Sequence, residues 1–360
     1  MNHVYVHIPF CKSICSYCDF CKMFYDKEVA LNYLNALKEE INEYYEDEII
    51  DTLYIGGGTP SSLDYDLLDK LFDILKVFKL SEKCEFTFEC NPDDLNEYFV
   101  KKIASFGVNR VSIGIESFHK DKLKFMERTS NFDDIKTKMN LLRYYGINNI
   151  NIDLMYAIPN ETLDILKKDV KMFLKLNPTH ISTYSLIIED HTKIKINNAQ
   201  NINEDLEAKM YEYICKKLAS KGYIHYEVSN FALKGYESKH NLAYWNNEEY
   251  FGFGLGASGY INGFRYDNTR NISEYENGKY HATEALLSKK ELMEYELMLG
   301  FRKMEGISLQ SFFDKYGVNM QEVFPIKPLV HNKDLIYKNG FIYINPEKIY
   351  IMNEILNKMI

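Results

Sequence analysis

The amino-acid sequence predicts an α/β protein with an incomplete parallel (β/α)6 barrel and a smaller, winged-helix-like C-terminal α+β domain. Six short β-rich runs alternate with amphipathic helical patterns, which indicates a parallel sheet with right-handed crossovers. Six units are fewer than the eight of a closed barrel, so an open barrel and a doubly wound sheet both fit the alternation. The alternation ends near residue 225, and two segments of different character follow.

The six strands and the helices between them are predicted from hydrophobic periodicity. Apolar residues recur with the helical period in the longer patterns, whereas the strand candidates are short and rich in β-branched and aromatic residues. The predicted strands cover residues 4–8, 52–55, 85–89, 110–115, 149–155 and 180–187. The predicted helices cover residues 29–41, 67–75, 95–106, 132–145, 162–176 and 204–221.

The chain is predicted to divide into three parts. Residues 1–230 form the partial barrel, residues 231–288 a glycine- and aromatic-rich segment that is irregular or a short hairpin, and residues 289–360 the C-terminal domain. In the last part, a helix resumes at Lys290, and a second helix ends at Gly317, a helix C-cap signal. Asn339-Gly340 between two apolar runs predicts a hairpin with a type I′ turn.

Composition and charge limit the classes of function. The chain has 360 residues, of which 46% are hydrophobic and 26% charged, and these ordinary globular values argue against disorder. A formal charge of −9 argues against a nonspecific nucleic-acid partner, which needs a basic surface. The first residues lack the pattern of a secretory signal, and the longest uncharged run, residues 250–264, is too short for a transmembrane helix. We therefore expect a cytoplasmic protein without a transmembrane segment.

Four of the seven cysteines lie within the first 21 residues and predict a metal site. Cys11, Cys15 and Cys18 have the spacing C-x3-C-x2-C on a loop between a strand and a helix, where three thiolates can hold three corners of a site. Structural zinc needs a fourth ligand, for which Cys21 and His7 are candidates. A [4Fe–4S] cluster held by three cysteines would instead leave one iron open. A disulfide framework is not expected in a long chain without a signal.

Polar and glycine residues gather where the predicted strands end. Because ligand sites of parallel α/β proteins lie at the carboxyl ends of the strands, these residues are expected at one edge of the sheet. A lone buried carboxylate in the fifth strand, Asp153, would be costly, and a ligand is a suitable partner for it. The residues at the strand ends are Gly56-Gly57-Gly58-Thr59-Pro60, Glu89, Glu116, Asp153 and Tyr184.

The cysteine motif followed by Gly-Gly-Gly-Thr-Pro resembles the radical S-adenosylmethionine (SAM) enzymes, and the chain is more narrowly similar to the HemN/HemW family. The likeness covers nearly the whole chain, is loosest in the C-terminal part, and implies a partial barrel of the radical SAM type. The segments that carry it are Tyr5-Val-His-Ile-Pro-Phe-Cys11, Tyr17-Cys-Asp-Phe20, Glu89-Cys-Asn-Pro92, Asn109-Arg-Val-Ser-Ile-Gly114, Tyr226-Glu-Val-Ser-Asn-Phe-Ala232 and His240-Asn-Leu-Ala-Tyr-Trp245.

The resemblance implies a cluster and a cofactor with defined binding residues. Cys11, Cys15 and Cys18 would ligate a [4Fe–4S] cluster, and the amino and carboxylate groups of SAM would chelate its fourth iron. One electron from the cluster would then cleave SAM to a 5′-deoxyadenosyl radical. No side chain is assigned a catalytic role. The residues implied for SAM are Tyr5, Tyr17, Gly57, Gly58, Thr59, Glu89 and Arg128, with Glu116 and Asp153 at the ribose.

Several residues depart from the family pattern. Cys21 stands three residues after the third ligand, whereas the oxidase branch has a cysteine two residues after it. We interpret Cys21 as a non-ligand, because a fourth thiolate would block the open iron. Glu116, Ala157 and Thr129 replace the usual Gln, Gly and His, and the first replacement changes a predicted ribose contact. The remaining cysteines are expected as core thiols; they are Cys84, Cys90 and Cys215.

Two functional branches share this pattern: oxygen-independent coproporphyrinogen III oxidases, and HemW-type proteins regarded as haem chaperones for membrane respiratory proteins. Three features favour the HemW type. Cys18-Asp19-Phe20 replaces the Cys-Gly-Cys of the oxidases, and the first strand begins at residue 4, without their long N-terminal extension. His240-Asn241-x2-Tyr244-Trp245 resembles the HemW haem-binding signature.

The signature predicts haem binding through a small set of side chains. His240 would ligate the iron while Tyr244 and Trp245 stack on the macrocycle, although a histidine beside aromatics is also typical of a packed core. We predict a HemW-like radical SAM protein that binds haem or a porphyrin and uses an electron donor. The alternatives are a coproporphyrinogen III oxidase and a zinc-stabilised binding protein without radical chemistry. Whether the chain is an enzyme stays open.

Overall fold

The structure, a computed structural model, describes residues 2–190, 192–197 and 199–360, and within them one mixed sheet of twelve strands forms the framework. The strands are β1 (Asn2–Ile8), β2 (Phe10–Cys11), β3 (Met23–Phe24), β4 (Ile49–Gly57), β5 (Lys79–Cys90), β6 (Arg110–Glu116), β7 (Asn149–Tyr156), β8 (His180–Ser185), β9 (Ile224–Glu227), β10 (Asn230–Ala232), β11 (Tyr250–Phe253), β12 (Ser258–Ile261), β13 (Phe264–Asn268), β14 (His281–Leu286), β15 (Ile307–Ser308), β16 (Leu335–Lys338) and β17 (Phe341–Ile344). The α-helices are α1 (Lys27–Tyr44), α2 (Tyr65–Leu75), α3 (Glu97–Ser105), α4 (Lys120–Met126), α5 (Phe132–Tyr144), α6 (Leu163–Lys175), α7 (Lys193–Ile196), α8 (Glu204–Ala219), α9 (Lys239–Trp245), α10 (Ile272–Glu276), α11 (Lys289–Gly300), α12 (Leu309–Tyr316), α13 (Met320–Val323), α14 (Ile326–His331) and α15 (Met352–Leu356).

Six neighbouring strands form the predicted parallel array. They lie in the order β1-β4-β5-β6-β7-β8, and each is parallel to its neighbours. Beyond β8 the sheet continues antiparallel into β10 and β9, and beyond β1 it continues into β11. Among the described residues no strand pairing joins the two ends of the sheet. The predicted fold class, an incomplete parallel barrel, is therefore confirmed.

Alternate residues of these strands face two different environments, because successive side chains of a strand point to opposite faces. Ile150, Ile152 and Leu154 on β7 are buried in the apolar core. Burying such a side chain stabilises the fold by about 1.5–3 kcal/mol. Asn151 and Asp153, which alternate with them, make polar contacts on the other face. The strands thus bury an apolar face and leave polar side chains for the interior of the open barrel.

Local signals in the sequence fix several element ends. The carboxylate of Asp26 accepts hydrogen bonds of 3.0 Å from two backbone N–H groups in the first turn of α1. Gly317 ends α12 with a φ of 69°, which confirms the predicted C-cap. Asn339 and Gly340 between β16 and β17 have φ values of 53° and 81°, as the predicted type I′ turn requires.

The segment 231–288 is more regular than the sequence predicts. Strand β11 pairs parallel with β1, and β12, β13 and β14 extend the main sheet in antiparallel fashion. The expected short hairpin is present as β12 and β13, but the expectation of an irregular stretch is wrong, because several of the glycines allow close packing between strands. A Cβ on Gly252 would lie 1.8 Å from the backbone O of Ser258, and one on Gly259 would lie 2.1 Å from the ring of Tyr266. The predicted division at residues 230 and 288 stays a prediction.

A buried carboxylate, Glu40 on α1, ties this segment to the barrel. It accepts hydrogen bonds from the hydroxyl of Tyr275, the Nδ2 of Asn268 and the N–H of Gly254. Burial raises the pKa of Glu40 to about 7, although the hydrogen bonds from Tyr275 and Gly254 act in the opposite direction. The folded chain therefore holds a proton at this carboxyl in a pH range where the unfolded chain does not.

Replacing Glu40 with glutamine is expected to remove one component of the pH dependence of stability. Since the folded-state pKa lies above the unfolded value of 4.5, the stabilising contribution is complete below pH 4.5 and lost as the pH rises through about 7. Relative to Glu40→Gln, the parent should therefore lose stability between these values, at up to about 1.4 kcal/mol per pH unit. Urea unfolding of both proteins across this range measures the difference. Parallel curves would contradict the assignment.

The C-terminal part packs against the edge of the main sheet that β9 forms. Helices α11 and α12 and the predicted hairpin are present, and β15 adds a third strand in the order β15-β17-β16. The N–H of Val228 donates to the C=O of Arg302, and the N–H of Met304 donates to the C=O of Tyr226, both at 3.0 Å. These bonds cover the sheet edge beside β9. Within the part of the chain that the structure describes, no helix is long and apolar enough to cross a membrane.

Candidate functional site

The predicted metal and cofactor residues converge at the carboxyl edge of the parallel strands. The N–H of Gly57, at the end of β4, donates to Glu89 Oε2 on β5 at 3.1 Å. Arg128, which follows α4, donates from Nη1 to Cys15 Sγ at 3.2 Å and from Nη2 to the C=O of Gly114 on β6. The cysteine loop, the glycine run and the strand ends therefore form one site, at the edge where the parallel array predicts it.

The cysteine loop starts at Cys11 and is closed at its base by β2 and β3, where the N–H of Tyr25 donates to the C=O of Cys11 at 2.9 Å. Cys11 is buried, and Cys15 and Cys18 are half-buried. All seven cysteines are free, as expected for a chain without a disulfide framework. The loop thus presents three unpaired thiols beside the ends of the strands.

The three thiols suit a shared, positively charged group. Burial raises the pKa of Cys11 to about 11, and the nearby Cys18 and Cys15 contribute to this shift. Three thiolates this close together need a cation to compensate their charge. Among the described residues, no three His, Cys, Asp or Glu side chains surround a point as the ligands of a single ion would. Three cysteines are one ligand short of the four that a structural zinc site needs, so the donor set fits an iron–sulfur cluster with one open iron better than one zinc ion.

His7 and Cys21, the other two candidate zinc ligands, contact each other beside the cysteine loop. The Nε2 of His7 lies 2.7 Å from the C=O of Cys21, and its Nδ1 lies 3.0 Å from the hydroxyl of Tyr5. Burial lowers the pKa of His7 to about 4, so the ring is neutral at pH 7. A Cβ on Gly256 would lie 2.7 Å from the Cβ of Cys21, so this cysteine packs against the glycine-rich segment. Both ring nitrogens of His7 already have partners.

The glycine run is fixed by close approach of its neighbours. A Cβ on Gly57 would lie 2.8 Å from the ring of His7, and Gly57 has a φ of 119° that favours glycine. A Cβ on Gly58 would lie 2.8 Å from the carbonyl carbon of Pro9 and 2.9 Å from Cys11 Sγ. The hydroxyl of Thr59 donates to the same sulfur at 3.5 Å. The absence of a side chain at Gly58 therefore lets its backbone lie directly against Cys11.

Glu89 and Arg128 place a carboxyl group and a guanidinium at this edge. Glu89 Oε1 accepts from the hydroxyl of Tyr54 at 2.7 Å, and burial raises the pKa of Glu89 to about 7. Arg128 Nη2 also donates to Asn91 Oδ1 at 3.2 Å, whereas its buried Nε has no hydrogen-bond partner among the described residues. A buried, unpartnered guanidinium N–H suits a carboxylate, since buried donors are normally satisfied. The pair can hold a ligand that carries an ammonium and a carboxylate.

Glu116 and Asp153 place two carboxyl groups beside that pair. Strands β6 and β7 align Gly114 with Asp153, and Glu116 follows with a φ of 68° in the left-handed region. Burial raises the pKa of both carboxyls, that of Glu116 to about 7. Asn151 Nδ2 donates to Asp153 Oδ1 at 2.8 Å. Burial raises the pKa of Tyr17, and the charge of Glu116 acts in the same direction. Two neighbouring carboxyl groups can accept from two hydroxyls of one ligand.

The histidine of the predicted haem motif lies inside the barrel rather than at its rim. His240 on α9 is 1% exposed. Its Nδ1 lies 2.6 Å from Thr52 Oγ1, and its Nε2 lies 2.8 Å from the hydroxyl of Tyr244. Trp245 is half-buried, and the guanidinium of Arg302 lies 5.4 Å from its ring centre. Both imidazole nitrogens are therefore engaged, and haem ligation by His240 stays a prediction that requires one of these bonds to break.

Sequence reasoning missed several residues that shape the site. Tyr54 and Asn91 contact Glu89 and Arg128 directly, and both stand within or next to motifs that were identified. The signal for Tyr54 is the period of two along β4, which places it on the same face as Thr52. Helix α4, from which Arg128 follows, is too short to give a clear helical period.

Comparison with protein families identifies two modules in the chain. Residues 5–173 match the model of the radical SAM superfamily, and residues 287–347 match the HemN C-terminal domain. The coproporphyrinogen III oxidase HemN from Escherichia coli has a similar structure, with a TM-score of 0.87 over 99% of this chain and 89% of that chain. At 18% identity this likeness shows the fold alone.

Two curated relatives are similar over almost their whole length, and each is named heme chaperone HemW. The protein from Lactococcus lactis is 39% identical, covering 100% of this chain and 97% of the relative. The protein from Bacillus subtilis is 40% identical, covering 93% and 94% respectively. Together with the cysteine loop and the converging strand ends, these matches show that the chain belongs to the HemN/HemW family of the radical SAM superfamily.

Proposed function

We propose that this chain is a haem-binding radical SAM protein of the HemW type that delivers haem to membrane respiratory proteins. The observation that carries the radical SAM part of the proposal is the contact of Arg128 with both Cys15 and the end of β6, at the sheet edge where Gly57 bonds Glu89. The full-length match to relatives named haem chaperones supports the HemW branch.

Within this proposal, the side chains at the sheet edge bind and orient the cluster and its cofactor. Cys11, Cys15 and Cys18 hold the [4Fe–4S] cluster. Glu89 accepts from the amino group of SAM, and the free Nε of Arg128 donates to its carboxylate. Cluster and SAM supply radical chemistry when bound, and the protein positions and shields them. The further SAM-binding residues are Tyr5, Tyr17, Gly57, Gly58 and Thr59, with Glu116 and Asp153 at the ribose.

Haem is proposed to bind at α9 through His240, with Tyr244 and Trp245 at the macrocycle. The Nε2 of His240 is bonded to a single side chain, the hydroxyl of Tyr244, so rotation of that one residue frees a ligating nitrogen. The proposal also includes an electron donor and the division of the chain into residues 1–230, 231–288 and 289–360.

Anaerobic reconstitution tests the radical SAM part of the proposal. We expect about four irons per chain, and formation of 5′-deoxyadenosine when SAM and a strong reductant are added. One zinc and no iron would instead support the zinc-stabilised binding protein. A loaded cluster that leaves SAM uncleaved would contradict the assigned cofactor.

A preparation that cleaves SAM then separates the haem chaperone from the oxidase. Given coproporphyrinogen III, it should not convert the substrate efficiently to protoporphyrinogen IX, because the chain follows the HemW pattern at Cys18-Asp19-Phe20. Efficient conversion, measured by chromatography after oxidation to the porphyrin, would assign the chain to the oxidase branch.

A further inference from the structure

Tyr54 on β4 lies between the proposed SAM site and the proposed haem motif. Its hydroxyl donates to Glu89 Oε1 at 2.7 Å. The centre of its ring lies 5.1 Å from that of His240, with an angle of 32° between the planes. The centre of the Tyr5 ring lies 6.0 Å from that of Tyr54 and 6.5 Å from that of His240. The three rings form an aromatic cluster next to Glu89. One side chain thus contacts both sites.

His240 is held in a single position in this cluster. The backbone N–H of His240 donates to the carboxylate of Glu85 at 3.1 Å. Its two ring nitrogens are hydrogen-bonded to Thr52 and Tyr244. Thr52 precedes Tyr54 by two residues and faces the same side of β4. This aromatic cluster is closely packed and its polar atoms are hydrogen-bonded. The ring of His240 therefore cannot shift without changing the position of Tyr54.

We infer that His240 is a positioning residue for the SAM site, acting through Tyr54, and that the two sites are therefore coupled. The inference rests on the proposed function in placing SAM at Glu89. If His240 ligated haem iron, its bond to Tyr244 would break and its ring would change its packing against Tyr54. The hydroxyl of Tyr54 would then hold Glu89 less well, and SAM would bind more weakly. By linkage, SAM must weaken haem binding by the same factor.

The first test uses the full chain loaded with its cluster and free of haem. Calorimetry measures the dissociation constant of SAM, and electron paramagnetic resonance of the reduced cluster records the change that SAM causes. We expect His240→Gln and Tyr54→Phe each to weaken SAM binding about three- to tenfold. The double variant should be no weaker than the weaker single variant, because both changes act on one contact. His225→Gln is the matched control, since the half-buried His225 also packs in an aromatic contact but stacks on Phe231 instead.

Each outcome decides the inference. The inference would be overturned if Tyr54→Phe, which keeps the ring and the packing, left the SAM affinity and the resonance signal unchanged. It would also be overturned if the effects of the two single changes on SAM affinity multiplied in the double variant. An equal loss in His225→Gln would show general damage and overturn it too. A parent chain with a loaded cluster that does not bind SAM would refute the proposed function itself.

A haem titration with and without SAM gives a second, independent test. Saturating SAM should weaken haem binding by the parent severalfold, read from the Soret absorbance, and should have no such effect in Tyr54→Phe. Haem affinity that does not respond to SAM in the parent would overturn the coupling while leaving haem binding itself intact. A parent that binds SAM but no haem would refute the haem part of the proposed function, and the SAM affinities above would still decide the role of Tyr54.

Discussion

Replacing Cys11 with serine is expected to abolish cluster binding. Anaerobically reconstituted parent should hold about four irons per chain, and Cys11→Ser less than about one, because two remaining thiolates cannot retain the cluster. Cys11 is the most buried of the three, and its sulfur lies against Gly58 and Thr59 at the centre of the site. Iron analysis and the visible absorbance of the cluster measure the loss.

Cys21→Ser is the matched control, since it removes a neighbouring thiol from the same loop. Cys21 packs against Gly256, and its contact with His7 is made by its backbone C=O, which serine keeps. We therefore expect an unchanged iron content. If Cys21→Ser lost the cluster while Cys11→Ser retained it, the assignment of ligands would be wrong.

Replacing Lys122 with methionine is expected to give the largest loss of stability. The Nζ of Lys122 lies 2.6 Å from Glu161 Oε1 and 2.9 Å from Asp169 Oδ2, and all three side chains are at most 3% exposed. It also donates to the C=O of Met155 at 2.9 Å. Removing one partner leaves buried charges uncompensated, which costs about 3–5 kcal/mol. Urea unfolding of the chain without its cluster measures the change.

Lys167→Met on the surface of α6 provides the comparison. Lys167 pairs with Asp164 at 3.0 Å, but both side chains are well exposed, so the expected change is below about 1 kcal/mol. Equal effects in the two variants would contradict the buried-charge account. The Lys122 cluster also matters for the site, because Asp169 accepts from Ser117 and Phe118, directly after Glu116. The Lys122 cluster thus fixes the backbone where Glu116, which has a left-handed backbone conformation, ends the strand.

Periodicity predicts much of the fold because the strands bury one apolar face. All six predicted strands start within six residues of the observed starts, and β1 shows why: Val4, Val6 and Ile8 are fully buried at alternate positions. The C-cap at Gly317 and the turn at Asn339-Gly340 were predictable because each needs a positive φ. The edge of the sheet that carries the site follows from the parallel order of the strands.

The rest depends on contacts between distant parts of the chain. Ala157 has a φ of 61°, which explains why glycine is usual there, but no local pattern reveals that conformation. Gly259 reads as a loop signal and instead makes room for the ring of Tyr266. The burial of His240 depends on Thr52 and Glu85, which lie more than 150 residues away in sequence. A motif placed Tyr244 near His240, but only the fold shows that the two side chains bond each other.

Haem binding by this chain can be measured by titrating the reconstituted protein with haem. We predict saturable binding of about one haem per chain with a shifted Soret band. His240→Ala should bind haem more weakly and with an altered spectrum, since an imidazole ligand determines both. Linear, unsaturable absorbance in the parent would contradict a haem-binding protein of the HemW type.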